Sequence, residues 1–101
     1  MNQSAYRFEF IATVPMLDAE QTLHLALFSA EGLFGSARVR LEAGYRVDEA
    51  SRTVTVGAAT EVGAAVVKVY TGLLLREFGE NAFQVRPTPA APRPESVECA
   101  A

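Results

Sequence analysis

The chain has 101 residues, 50% of them hydrophobic and 21% charged, with a formal net charge of −3. That suits one compact domain burying about two-thirds of its unfolded surface. It argues against disorder and against nucleic-acid binding through bulk positive charge. One cysteine, Cys99, and one histidine, His24, leave no intrachain disulfide and no zinc or iron–sulfur ligand set, so neither metal nor cofactor is expected. The first residues carry no basic, then apolar, leader pattern, and no run approaches about 20 apolar residues. The expectation is a cytoplasmic protein that does not cross a membrane.

Residues 5–14 alternate, with Tyr6, Phe8, Phe10, Ala12 and Val14 on one side and Arg7, Glu9, Ile11 and Thr13 on the other. This predicts a half-buried strand with an aromatic core side, ended by Pro15. Asp18, with Gln21 three residues on, offers a capping box for a helix whose stripe is Leu23, Leu27, Ala30 and Phe34, with Gly32 and Gly35 at its end. A second strand is predicted over 37–47 and a third over 52–56, joined by a turn at 48–51 in which Asp48 bonds the following backbone. Placing 47 opposite 52 sets Tyr45 against Val54 and Ala43 against Val56, apolar on apolar. Residues 37–39 then overhang as an unpaired edge that invites another chain.

The stretch 60–79 predicts a second helix, with Thr60 as N-cap, Glu61 in the first turn and Gly79 as the left-handed stop. Val62, Val66, Val69 and Leu73 form its core stripe. Val67, Leu74, Leu75 and Phe78 lie further round, widening the apolar surface beyond what a surface helix normally carries. They are expected first as the contact of a homo-oligomer or other partner, with cover by other parts of the same chain as the alternative. A last strand follows at 82–86. Residues 1–86 thus form a single domain, and the proline-rich 87–101 reads as a flexible tail.

The order strand, helix, strand, strand, helix, strand resembles the ferredoxin-like βαββαβ pattern. The resemblance implies an α+β fold, a four-stranded antiparallel sheet with two helices on one face. Families sharing that order were compared by motif. RNA-recognition domains need stacking aromatics on the open sheet side, whereas the third strand here is Arg-Thr-Val-Thr-Val. Metal-carrying domains of this pattern use C-x-x-C after the first strand, and acylphosphatases a glycine-containing loop with an arginine; residues 14–20 hold none of these.

Arg38, Arg40 and Arg46 fall on the open side of the predicted hairpin, where guanidinium groups would bind a small anionic ligand. His24 has Glu20 one turn before it, a pair able to orient an imidazole, with no nucleophile nearby in sequence. The sequence therefore points first to a non-catalytic, self-associating interaction or regulatory domain. An anion-binding module on the arginine-bearing sheet face comes second, and a small enzyme of unknown class third.

Overall fold

The computed structural model describes residues 5–89. The chain forms β1 (Ala5–Phe10), α1 (Met16–Phe34), α2 (Ser36–Glu42), β2 (Tyr45–Asp48), β3 (Thr53–Gly57), α3 (Glu61–Phe78), a 3-10 turn at Glu80–Ala82 and β4 (Phe83–Thr88). The fold is α+β. Its four-stranded sheet has the order β2-β3-β1-β4, and every neighbouring pair is antiparallel. Three helices accompany it rather than two.

Phe8 and Phe10 of β1, with Val54 and Val56 of β3, face Leu23 of α1 and Val62, Val66, Tyr70 and Leu74 of α3 in one buried cluster. Each such Val or Leu contributes about 1.5–3 kcal/mol by leaving water. Small residues, Ala19, Ala26 and Ala30, line the buried side of α1 and bring it close to its neighbours. Tyr70 fixes the helix pair. Its ring meets Phe8 edge-on at 4.8 Å between centroids, and its hydroxyl donates to the Ala19 carbonyl at 2.8 Å. Burial raises its pKa well above the usual phenol value, so the group stays a neutral donor. Near the same end, the buried Thr22 hydroxyl lies 2.7 Å from the Glu77 carboxylate.

The cap signals of α3 are realised. Thr60 Oγ1 accepts from the Gly63 amide at 2.9 Å, and Gly79 closes the helix at φ 89°, in the region only glycine enters freely. Asp48 accepts from the Ser51 amide at 3.3 Å, as the turn reading expects.

Several elements differ from the sequence reading. The expected strand over 37–47 is the helix α2 followed by a short β2. Val39 and Ala43 are both buried while Leu41 is 71% exposed, which is helical i, i+4 spacing and incompatible with alternation. Arg38 locks that turn by a two-pronged contact with Glu42, 3.0 Å at each prong. No strand overhang at 37–39 remains. The hairpin is shifted by two residues, with Val47 opposite Val54 and Tyr45 opposite Val56. Arg52 takes φ 57° in the turn instead of opening β3, and its guanidinium donates to the carbonyls of Ile11 and Val14. β1 stops at Phe10, leaving Ala12 in an exposed connection. α1 starts at Met16 behind Pro15, so Asp18 lies inside the first turn and is no N-cap. Burial of Met16 draws the helix start forward. β4 runs through Pro87, tolerable because β4 is an edge strand and needs no donor on its open side. The tail reading otherwise lies outside the described residues, as does Cys99.

Gly63 shows why α3 begins with so poor a helix former. A Cβ there would sit 2.3 Å from the backbone oxygen of Gly57, so the first turn of α3 packs directly on the end of β3. Gly63→Ala should destabilise by about 1–3 kcal/mol through this overlap, outweighing the ~1 kcal/mol that alanine gains in helix propensity. Urea denaturation checks this; a variant as stable as the parent would contradict the close approach.

Candidate functional site

Two surfaces carry the residues of interest. The first is the sheet side opposite the core. Across it the register aligns Arg46, Thr55, Arg7 and Arg86 in one row over β2, β3, β1 and β4. The next row is Asp48, Thr53, Glu9 and Gln84. Glu9 lies between two guanidinium groups, 3.2 Å from Arg86 and 3.7 Å from Arg7. Strands sit about 4.8 Å apart, so the arginine row reads as a band of positive charge partly offset by the acidic row beside it.

Of the three arginines expected together, only Arg46 lies on this side. Arg38 and Arg40 ride on α2. Arg38 holds Glu42, lies 3.5 Å from Glu61 at the start of α3, and stacks 5.1 Å over the Phe34 ring. It joins α1, α2 and α3 rather than facing a ligand. The companions of Arg46 are Arg7 and Arg86. Alternation along β1 and β4 already put both on the open side; what it did not supply was their cross-strand alignment.

The second surface is the outer side of the helices. The exposed apolar residues expected on α3 are largely elsewhere. Leu74 is fully buried, and Val67 and Phe78 pack half-buried against the core; only Leu75, at 46%, is exposed. A fully buried Leu74 has no surface to offer a partner. The reason is that Tyr70 and Leu74 turn their side of α3 toward the sheet and α1, so the apolar arc is consumed within the chain. Instead Leu17, Leu25 and Phe28 of α1 are 61%, 56% and 72% exposed. At about 100° per residue they fall within one ~80° sector, opposite the buried alanines.

His24 stands 3.9 Å from Glu20 on an exposed part of α1, its ring edge-on to Tyr45 at 6.1 Å, with no nucleophile in the contact. Among the described residues no group of three or more His, Cys, Asp or Glu side chains is placed to hold a metal ion. No described helix is long and apolar enough to cross a membrane. Compared with models of known families, with curated proteins and with solved structures, the chain matches none.

Two carboxyls are held below their ordinary pKa. Hydrogen bonding from Arg38 lowers Glu42, and the Ser51 amide lowers Asp48. A depressed folded-state pKa contributes stability that is present above the unfolded value and lost as pH falls through the folded one. NMR titration should place both midpoints below the usual Glu and Asp values, and Arg38→Ala should return Glu42 upward while leaving Asp48 where it is. An unmoved Glu42 would show that Arg38 does not stabilise the charged form.

Proposed function

We propose that this protein is a non-catalytic, self-associating interaction domain of the cytoplasm, built on the ferredoxin-like plan. The strand order β2-β3-β1-β4 supports that plan. The carrying observation for association is the exposed sector of Leu17, Leu25 and Phe28. Three large side chains aligned on one helix and left in water form the kind of contiguous apolar patch that marks a protein contact. The seat of association thereby moves from α3, where the sequence put it, to the outer side of α1. Sedimentation velocity across the micromolar range should show a species of twice the chain mass. Leu25→Glu with Phe28→Glu should give a folded monomer, because both positions are already solvated in the single chain. A parent protein that stays monomeric throughout would overturn this reading.

A second reading, a small anionic ligand on the open sheet face, is supported by the row of Arg46, Arg7 and Arg86. Here the ligand is a phosphate or carboxylate bridging neighbouring guanidinium groups. A thermal-shift series with inorganic phosphate should raise Tm in the parent and not in Arg7→Ala with Arg86→Ala. An identical shift in both would remove it. The arginines on α2, Arg38 and Arg40, play no part in that site.

A further inference from the structure

The outer sides of α1 and α3 carry opposite charges, and the two helices lie side by side. From Met16 to Phe34 α1 carries no lysine or arginine; its charges are Asp18, Glu20 and Glu31, with His24 between them. On α3, Glu61 is engaged by Arg38 at 3.5 Å and Glu77 by Thr22 at 2.7 Å. The outward cations of α3 are Lys68 and Arg76, both exposed, with Leu75 and Gly72 between them in sequence, while Glu61, 73% exposed, stands at the far end of the helix. A Cβ built on Gly72 meets nothing within 4 Å, so this part of α3 is a shallow, open step. The matching part of α1 projects Leu25 and Phe28.

The directions of the helices decide how two such layers meet. β1 is antiparallel to β3 and β4, and β2 is antiparallel to β3. Hence β1 and β2 point one way and β3 and β4 the other, and α1 and α3 return in opposite senses. The contacts of Ala19 with Tyr70 and of Thr22 with Glu77 set the start of α1 beside the later half of α3.

Resting on the self-association reading, we propose that two copies pair helix layer to helix layer about a two-fold axis along the groove between α1 and α3. Each α1 then lies antiparallel on α3 of the second copy. Leu17 meets Leu75, Leu25 and Phe28 lie over the step at Gly72 and the stem of Lys68, and at the rim Arg76 faces Asp18 while Lys68 reaches Glu31. The contact is isologous and closes on itself, so it makes dimers and not filaments. The other two-fold arrangement, α1 on α1, brings the Asp18 and Glu31 carboxylates of the two copies to one contact with no lysine or arginine between them, a repulsive juxtaposition. An anionic membrane is a poor occupant for the same reason, since interfacial helices present lysine and arginine on their polar side. Helices of 19 and 18 residues about 10 Å apart give a footprint of ~550 Å² per copy. That is at the small end for specific contacts, so pairing is expected to depend on concentration in the micromolar range.

Charge reversal tests the arrangement. Lys68→Glu with Arg76→Glu, and separately Asp18→Lys with Glu31→Lys, should each pair at least about tenfold more weakly than the parent by sedimentation. Mixed in equal amounts, the two variants should pair again, as each then offers the charge the other lacks. Gly72→Leu gives an independent readout. It adds helix propensity in open space, so it should raise Tm of the monomer while abolishing pairing. A parent dimer that the α3 reversal leaves unchanged, or that Asp18→Lys with Glu31→Lys strengthens, would overturn this arrangement and leave self-association standing. So would dimerisation of Gly72→Leu at parental affinity. A monomeric parent would remove both.

Discussion

The buried contact of Tyr70 with Ala19 and Phe8 sets everything that follows. One side chain ties α3 to α1 by a hydrogen bond and to β1 by its ring, and so determines which side of each helix is spent on the core. A buried hydrogen bond of this kind contributes about 0.5–1.5 kcal/mol net, and leaving its partner unsatisfied costs more. Its larger consequence is geometric. With Tyr70 and Leu74 turned inward, α3 has little apolar surface left to show, while α1, buried through Leu23 and its alanines, has Leu17, Leu25 and Phe28 left over. The direct packing of Gly63 on Gly57 holds α3 to the sheet at its other end and allows no rotation that would expose Leu74 instead.

Around that centre, polar groups fasten the connections. The Thr60 hydroxyl caps α3 through Gly63 and donates to the Glu42 carbonyl at 3.0 Å, joining the end of α2 to the start of α3. Arg38 spans the same junction through Glu42 and Glu61 and covers the ring of Phe34. Arg52 draws the β1–α1 connection onto the β2–β3 turn. Its left-handed backbone costs about 1–2 kcal/mol, set against its bonds to the carbonyls of Ile11 and Val14. Three arginines that look alike in sequence thus do different work: Arg38 and Arg52 fasten the fold, and Arg46 faces outward on the sheet.

Much of this architecture is legible before any coordinates. The period-two alternation of Arg7, Phe8, Glu9 and Phe10 and the cap and stop residues of α3 have short-range causes, and they appear where the pattern puts them. The misreading at 37–47 comes from a pattern compatible with two periods. Arg-Val-Arg-Leu-Glu at 38–42 alternates, yet its Arg38 and Glu42 also stand one helical turn apart, and burial of Val39 with Ala43 selects the helix. Likewise, the width of an apolar arc on α3 does not reveal how much of it another helix covers. Alanine is the quiet signal on the other side: Ala19, Ala26 and Ala30 form a stripe that buries α1 closely and frees Leu17, Leu25 and Phe28 to face out. The open-face arginine row needs cross-strand register, which depends on a hairpin two residues away from the simplest pairing.

The proposed self-association uses the helix layer and not the sheet. An amide chemical-shift series on dilution tests it most directly, because every backbone position reports at once. Concentration-dependent shifts gathered on the outward turns of α1 and α3, around Leu25, Phe28 and Gly72, with β1 to β4 unmoved, are the predicted result. Shifts centred on Arg7, Arg46 and Arg86, or a spectrum that does not change with concentration, would contradict it.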